Sequence, residues 1–313
     1  MSATNHESWV ALMEDDQLVE VMFDRSDQDR LVGGIYLGKV EAVIPGIQAA
    51  FVDIGVAKAG FLHVSDLNWD SNESSGKRTN SGGGRRDRRY PAIQDKIKKG
   101  QSIIVQVTKE PIGTKGPKLT GQISLPGRFL VYMPGSYHVG VSRKIEDRGE
   151  KSRLRKLAKE ILPEDAGGII VRTVSEELNR ESFQKEFTRL SSRWRKILKN
   201  KDSLQAPAPL QREASLISSV IRDLFSNQFE SIKVDSKRIY QEILQYVKSV
   251  APELKDRVVL YQESSSLFDK YGIEGEVEET FTKRAGLPSG GYIIIEQTEA
   301  LVSIDVNTGK YVG

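Results

Sequence analysis

Two polar side chains near residue 305 could take part in metal-assisted chemistry. Residues 291–305 have the pattern of two short apolar strands joined by a polar turn at 296–299. Side chains two residues apart on a strand project from the same face, so Asp305 and Asn307 are expected to lie side by side. Their oxygen atoms suit a hard cation such as Mg2+. The alternative interpretation is a strand that simply ends in a polar turn, because a short Ile-Asp-x-Asn motif is not specific alone.

The composition limits the kinds of site that the chain can build. Its 313 residues, 38% hydrophobic and 28% charged, suffice for two or more domains. The absence of cysteine excludes disulfides and thiolate metal sites, and His6, His63 and His138 are too scattered to form a zinc site alone. The sequence has neither a run of about 18 apolar residues nor a signal-like N-terminus, which predicts a cytoplasmic protein without a transmembrane segment.

The first part of the chain has the alternation of short β-strands. Residues 8–24 predict a hairpin, and glycine-punctuated apolar runs from about 33 to 122 predict a small barrel. The barrel strands are expected at 35–44, 48–54, 60–64 and 102–109. A Gly/Ser-rich insertion interrupts them, and we expect residues 70–90 to form a disordered loop, of which 77–89 hold six basic side chains and one acidic. The net charge of +3 alone does not indicate nucleic-acid binding, but a cluster of basic side chains is the feature that such binding requires.

The second part mixes helices and strands. It predicts strands at 129–133 and 167–171 around a basic helix at 150–162, then one long helix at 176–199. The long helix has an apolar stripe that we interpret as core, whereas its basic faces are more typical of solvated surface than of RNA contact. The stripe consists of Phe183, Phe187, Leu190, Trp194 and Ile197.

Beyond the long helix, the prolines at 206–209 predict a helix end and a boundary. An α/β unit is predicted after it, with room for the N-terminal hairpin as additional strands. Its elements are a helix at about 210–227, a strand at 231–235, a helix at 237–250 and a strand at 257–261.

An ordered set of motifs resembles the ribonuclease E/G family, over nearly the whole chain and in the N-terminal part of that family's catalytic region. The motifs are Gly38-Lys-Val, Ala49-Ala-Phe-Val-Asp-Ile-Gly55 and Gly60-Phe-Leu-His63 for an S1-type OB-fold; Gly127-Arg-Phe-Leu-Val-Tyr-Met-Pro134, Gly140-Val-Ser-Arg-Lys-Ile145 and Ile170-Val-Arg-Thr173 for a sensor of RNA 5′ ends; and Leu287-Pro-Ser-Gly-Gly291 with Thr298-Glu-Ala-Leu-Val-Ser-Ile-Asp-Val-Asn307 for the active-site segment.

The resemblance implies an α+β multidomain fold in which an OB barrel is inserted in a ribonuclease H-like domain. The implied parts are a ribonuclease H-like domain at 1–33 and 205–277, the S1-type barrel at 34–121, a 5′ sensor at 122–204 and an incomplete deoxyribonuclease I-like domain at 278–313. It also implies an endoribonuclease of RNA processing and decay that hydrolyses single-stranded RNA with Mg2+ and senses a 5′-monophosphate.

The resemblance assigns RNA contacts on the barrel to Phe51, Phe61 and Lys115. An OB barrel binds single strands by stacking bases on exposed aromatic rings and pairing cations with phosphates. The pattern alone favours barrel core for both phenylalanines, and a solvated loop residue is the alternative for Lys115, which lies in a glycine turn at 113–118.

The resemblance assigns the grip on the 5′-phosphate to Arg172 and Thr173. A guanidinium and a hydroxyl at the end of a strand can form charge-assisted bonds to a terminal phosphate. Backbone amides near Gly127 and Val131, together with Arg143, would complete the ring of donors. Without the resemblance, a surface ion pair is the ordinary interpretation of Arg172.

At the active site, Asp305 would bind Mg2+ and Asn307 would orient its hydration shell or the scissile phosphate. The second metal-binding aspartate, the zinc-binding cysteine pair that links subunits and the C-terminal small domain of the family have no counterpart in these 313 residues. The alternative function is therefore an RNA-binding and 5′-end-sensing fragment without catalytic activity. Expected partners are single-stranded RNA and, for the full-length form, further copies of itself and other RNA-decay proteins.

Overall fold

The computed structural model describes residues 1–4, 7–25, 30–67, 91–176, 178–212, 215–226, 228–299 and 301–309. They form two compact units, one of Asp29–Ala214 and one of Met1–Gln28 with Ser215–Gly313. The predicted loop at 70–90 lies outside the described residues. Among those that are described, no helix is both long and apolar enough to cross a membrane.

The elements are numbered along the chain. The strands are β1 Ser2–Ala3, β2 Glu7–Glu14, β3 Gln17–Arg25, β4 Ile35–Ile44, β5 Ala49–Asp53, β6 Gly60–His63, β7 Ser102–Lys109, β8 Lys118–Thr120, β9 Leu125–Pro126, β10 Leu130–Met133, β11 Val139–Val141, β12 Gly168–Val171, β13 Ala208–Gln211, β14 Ile232–Val234, β15 Val258–Leu260, β16 Arg284–Gly286, β17 Tyr292–Gln297 and β18 Val302–Asn307. The helices are α1 Ile93–Lys96, α2 Arg148–Ile161, α3 Arg180–Ser203, α4 Leu216–Asp223, α5 Lys237–Val250, α6 Leu267–Lys270 and α7 Ile273–Thr280. Short 3-10 helices cover Pro45–Ile47, Val64–Asp66, Thr173–Ser175 and Pro252–Arg257.

The small barrel is confirmed. Five strands follow one another in the order β4-β5-β6-β8-β7, and pairing of β4 with β7 closes the ring. Side chains of alternating positions fill the interior, including Val52, Leu62 and Leu119, each fully buried. Gly38 belongs to this packing, because a Cβ atom there would lie 2.4 Å from a methyl group of Val52. The strands therefore turn one face inward and leave the other for ligands.

The proline segment at 206–209 extends the barrel sheet. Strand β13 includes two of its residues and pairs with the first half of β4, where Ala208 lies opposite Leu37. The compact unit that contains the barrel accordingly runs to residue 214, whereas the sequence placed a boundary at about 205. A strand pairing between residues about 170 positions apart leaves no local signal in the sequence. The prolines instead indicate a turn or the end of a helix.

Residues 125–203 form a two-layer α/β sandwich. Its sheet has the order β11-β12-β10-β9, and α2 and α3 pack against it and against each other. The long helix begins at residue 180 and ends at 203, not at 176 and 199 as predicted. It begins at 180 because the side chain of Asn179 accepts a hydrogen bond from the backbone N–H of Ser182 at 3.0 Å. The predicted core stripe is confirmed at four of its five positions, and the fifth, Trp194, is half-buried.

The other compact unit has its own core. The predicted hairpin of β2 and β3 is confirmed, and Val10 of β2 packs with α4, α5, β14 and β15 in one buried cluster. Helix α5 has the predicted bounds, whereas α4 is shorter than the predicted 210–227, since Ser215 caps it. A separate antiparallel sheet, β16-β17-β18, carries the end of the described chain.

Candidate functional site

The barrel presents an aromatic pair on its outer surface. Phe51 of β5 and Phe61 of β6 are direct cross-strand partners, with ring centroids 6.0 Å apart at 67°. The Phe51 side chain is 37% exposed, Phe61 is half-buried, and neither belongs to the buried barrel core. The core interpretation of these rings is therefore wrong, because the alternation of both strands turns them outward. Rings in this position are available for stacking on bases.

The loop with Lys115 is fixed next to this aromatic pair. Lys115 itself is exposed. The ammonium of Lys58 donates to the carbonyl of Gly113 at 2.5 Å, and the backbone N–H of Phe61 donates to the carbonyl of Pro117 at 2.8 Å. These bonds tie both ends of the loop to the segment around β6. The structure thus brings the three predicted barrel residues onto one region of the surface.

Two parallel strands end at a common edge of the sandwich, which we call the Arg172 edge and define as residues 141–143 and 171–173. Strands β11 and β12 run parallel with Val141 opposite Val171, so the residues that follow both strands lie together. The N–H of Ser142 donates to the carbonyl of Val171 at 2.8 Å. Arg143, Arg172 and Thr173 therefore lie at one edge of the sheet.

The loop at 127–130 adjoins the Arg172 edge. Nη1 of Arg172 donates to the carbonyl of Gly127 at 2.8 Å. Gly127 thus contributes an acceptor that holds the guanidinium, while its own N–H donates to the carbonyl of Leu130 at 2.8 Å. Val131 lies within β10, opposite Ile170 of β12. The structure brings Gly127 to Arg172, but the backbone donors expected near Gly127 already have acceptors in this conformation.

A buried carboxylate that sequence reasoning missed holds this loop. Glu186 of α3, only 5% exposed, accepts the backbone N–H groups of Arg128 at 2.8 Å, Phe129 at 2.7 Å and Leu130 at 2.9 Å. A Cβ atom at Gly127 would lie 2.7 Å from Oε1 of Glu186, so glycine leaves room for the carboxylate. Each carboxylate oxygen thus has a backbone donor, which compensates for its burial.

One sequence signal could have found Glu186. It lies on the apolar stripe of α3, three residues after Phe183 and four before Leu190, where a carboxylate would be buried. A charged residue in such a position needs a partner. Here Arg189 supplies part of the compensation, with Nη2 at 3.0 Å from Oε1 of Glu186. The amides of residues 128–130 supply the rest, but no sequence pattern identifies them.

The predicted pairing of Asp305 and Asn307 is confirmed in geometry. Both lie on β18, and Nδ2 of Asn307 donates to Oδ2 of Asp305 at 2.9 Å. Asp305 is exposed and Asn307 half-buried, so their oxygens are accessible to a cation. Within the described part of the chain, no three His, Cys, Asp or Glu side chains converge on a possible metal position. The pair therefore offers a carboxylate and an amide, which is part of a ligand set for a hard cation.

A cation lies on the same sheet face as this pair. Arg284 of β16 is in register with Ile294, which is in register with Asp305. The guanidinium of Arg284 lies 3.8 Å from the ring centroid of Tyr292, and Tyr292 is opposite Asn307. No sequence pattern singles out Arg284, because only the strand pairing shows which face of the sheet it shares. An anionic ligand near Asp305 would meet this positive charge.

Comparisons with known proteins agree with these observations. The model of the Ribonuclease E/G family matches residues 124–313, and that of the S1 RNA binding domain matches residues 32–119. The chain is similar to proteins named Ribonuclease G, at 40% identity over 318 residues in Haemophilus influenzae and 37% over 315 in Escherichia coli K12. A protein named Ribonuclease E from Nostoc is 39% identical over 306 residues.

The alignments cover all of this chain for both Ribonuclease G relatives and 96% of it for the Nostoc protein. The chain spans 62% and 63% of the length of the two Ribonuclease G relatives and 42% of the Ribonuclease E relative. The family match alone covers more than half of the chain. The chain belongs to the ribonuclease E/G family.

Proposed function

We propose that this chain is part of a single-strand-specific endoribonuclease that hydrolyses phosphodiester bonds with Mg2+ and senses 5′-monophosphate ends. The observation that carries the proposal is the accessible Asp305–Asn307 pair in a member of this family. The remaining parts of the proposal are a ribonuclease H-like fold for 1–33 and 205–277 and a deoxyribonuclease I-like fold from 278. Self-assembly, contacts with other RNA-decay proteins and a cytoplasmic location are proposed for the longer protein.

The barrel supplies the grip on single-stranded RNA in this proposal. Phe51 and Phe61 offer two rings to bases, and Lys115 offers a charge to the phosphates between them. Stacking on aromatic rings tolerates any base, so this contact gives affinity without sequence preference. The S1 match over residues 32–119 supports this role, since it coincides with the barrel that carries the pair.

Replacing Phe61 by alanine is expected to weaken binding of a single-stranded RNA by about 1–3 kcal/mol, the value of one stacked base. The measurement is fluorescence anisotropy with a short 5′-hydroxyl oligonucleotide. Phe281→Ala is the matched control, because Phe281 is 80% exposed and lies in the other compact unit. If the Phe61→Ala protein keeps its circular dichroism spectrum and binds the RNA as tightly as the unchanged protein, the assignment of base stacking to Phe61 is wrong.

The Arg172 edge is proposed to hold the 5′-phosphate. Arg172, Thr173 and Arg143 follow the ends of two parallel strands, so two guanidinium groups and a hydroxyl belong to one edge of the sheet, and groups of these types bind a phosphate well. The carbonyl of Gly127 fixes one nitrogen of Arg172, which reduces the conformational freedom that binding would otherwise remove. In this geometry the side chains supply the donors, and the 127–130 loop supports them.

We expect Arg172→Gln to abolish the preference for 5′-monophosphate over 5′-hydroxyl RNA, a change of about tenfold or more for one charge-assisted contact. Arg172→Lys should abolish this preference as well, because one ammonium cannot both donate to the Gly127 carbonyl and present a planar pair of donors to the phosphate. The affinity ratio for the two RNA ends is the measurement, with Arg238→Gln on α5 as the control. Equal affinity of the unchanged protein for both ends would remove the sensing proposal.

The residues present fit part of a Mg2+ site. Asp305 would hold the ion through its carboxylate, and Asn307 would bind a coordinated water or the scissile phosphate with its amide. When bound, Mg2+ would activate a water and neutralise charge that develops on the phosphate. The hydrogen bond from Asn307 keeps the Asp305 carboxylate in one orientation, and Arg284 lies on the same face to attract the anionic backbone.

The second candidate function is RNA binding and 5′-end sensing without cleavage. The observation that favours it is the single carboxylate of the Asp305–Asn307 pair, with no cluster of three possible ligands among the described residues. One carboxylate holds Mg2+ weakly. A version of the chain extended to the length of its Ribonuclease G relatives distinguishes the two candidates when it is incubated with labelled RNA in Mg2+. Mg2+-dependent cleavage by that version favours the first candidate, and binding without cleavage favours the second.

A further inference from the structure

One layer of the sandwich carries a large surplus of positive charge. Helices α2 and α3, which we call the helix layer, contain fourteen basic and five acidic side chains. The remaining residues contain 32 basic and 38 acidic side chains, since the whole chain has 46 and 43. The surplus of nine in the helix layer exceeds the net charge of +3 of the entire chain. Charge segregation of this kind is the electrostatic footprint of a polyanion partner.

The two helices present these cations on one surface. Helix α2 contacts β11 and β12, α3 contacts β10 and β9, and the helices contact each other, so both lie on the same side of the sheet. Their apolar faces are buried, with Leu154 and Ala158 on α2 and Phe183 and Leu190 on α3. Twelve of the fourteen cations of the layer are exposed, including Lys156, Lys159 and Lys196.

The side chains of the helix layer suit a phosphate backbone more than bases or lipid. Within α2 and α3, both fully described, Leu198 is the most exposed large apolar residue at only 36%, and the ring of Trp194 is half-buried. A surface without exposed aromatic rings cannot stack unpaired bases, and one without apolar anchors inserts poorly into a bilayer. Double-stranded RNA, by contrast, is recognised mainly by shape and by its backbone.

We propose that the outer surface of the helix layer binds a double-helical RNA stem. The layer adjoins the Arg172 edge, since the ammonium of Lys151 donates to the carbonyl of Arg143 at 3.4 Å and Glu186 holds the 127–130 loop. A stem on the helix layer would thus lie within the compact unit that also contains the barrel and its aromatic pair. The proposal extends the proposed RNA binding to structured substrates, and it requires neither cleavage nor 5′-end sensing.

The test compares two triple variants of the 313-residue chain. One replaces Lys156, Lys159 and Lys196 of the helix layer by glutamine. The control makes the same change at three exposed lysines of the other compact unit, Lys237, Lys248 and Lys255. Binding is measured over a range of salt concentrations with a blunt 5′-hydroxyl RNA duplex of about 16 base pairs, the span of a typical duplex-binding domain. A short single-stranded RNA measures the barrel separately.

The expected result is specific to the duplex and to the helix layer. The layer variant should bind the duplex at least about tenfold more weakly, with a log–log salt slope reduced by about 0.9 for each lost phosphate contact. Single-strand affinity should be unchanged in both variants. Three results overturn the proposal. The unchanged chain does not bind the duplex, or the control variant loses as much duplex affinity as the layer variant. The third is that the layer variant keeps its duplex affinity and loses only its binding to phosphatidylserine-containing vesicles. Failure of the barrel role would appear instead as unaltered single-strand binding by Phe61→Ala.

Discussion

Asp305→Asn, made in a version of the chain extended to the length of its Ribonuclease G relatives, is expected to reduce Mg2+-dependent RNA cleavage about a thousandfold or more. That factor corresponds to about 4 kcal/mol of transition-state stabilisation, which is in the range of a metal contribution. The substitution keeps the size of the side chain and removes the charge that would hold the ion. RNA affinity should stay within a few fold, because the ligand acts mainly in the transition state.

The measurement is the single-turnover cleavage rate of a labelled RNA with and without Mg2+. Asp256→Asn is the control, because Asp256 is exposed in the 3-10 helix Pro252–Arg257 and lies outside the strands that carry the pair. The chain of 313 residues should bind the RNA and cleave it little or not at all. Robust Mg2+-dependent cleavage that survives Asp305→Asn would show that the chemistry belongs to other residues.

The second large effect is expected at Glu186. Glu186→Ala removes the acceptor of three backbone N–H groups and should destabilise the fold by about 3–5 kcal/mol, since buried donors without partners are costly. Glu186→Gln should cost less, because it keeps one oxygen but turns an NH2 group toward at least one amide. Chemical unfolding measured by circular dichroism gives the free energies. Glu181→Gln, one turn earlier and exposed, is the control and should change stability little.

Glu186→Gln should also reduce the preference for 5′-monophosphate RNA. The carboxylate fixes the 127–130 loop, and that loop holds Arg172 through the Gly127 carbonyl. A purely structural role would lower the unfolding free energy and leave the ratio of affinities for the two RNA ends unchanged when measured well below the unfolding transition. An unchanged ratio in a folded Glu186→Gln protein would therefore separate Glu186 from the phosphate site.

The sequence by itself determined the elements that depend on local patterns. Alternation predicted four of the five barrel strands, with β4 and β7 at the predicted bounds, and helical periodicity predicted the buried stripe of α3. The spacing of Asp305 and Asn307 was sufficient to predict their contact, because two residues on one strand face need no distant partner. The motifs also identified the family that the comparisons show.

Only the tertiary structure decided the contacts between distant parts of the chain. Glu186 reaches Arg128 across 58 residues, and Arg172 reaches Gly127 across 45. The extension of the barrel by β13, the outward position of Phe51 and the shared face of Arg284 and Asp305 likewise depend on strand pairing. Local patterns report which face of an element is apolar, but the partner of a buried charge or the neighbour of an edge strand is set by packing over the whole fold.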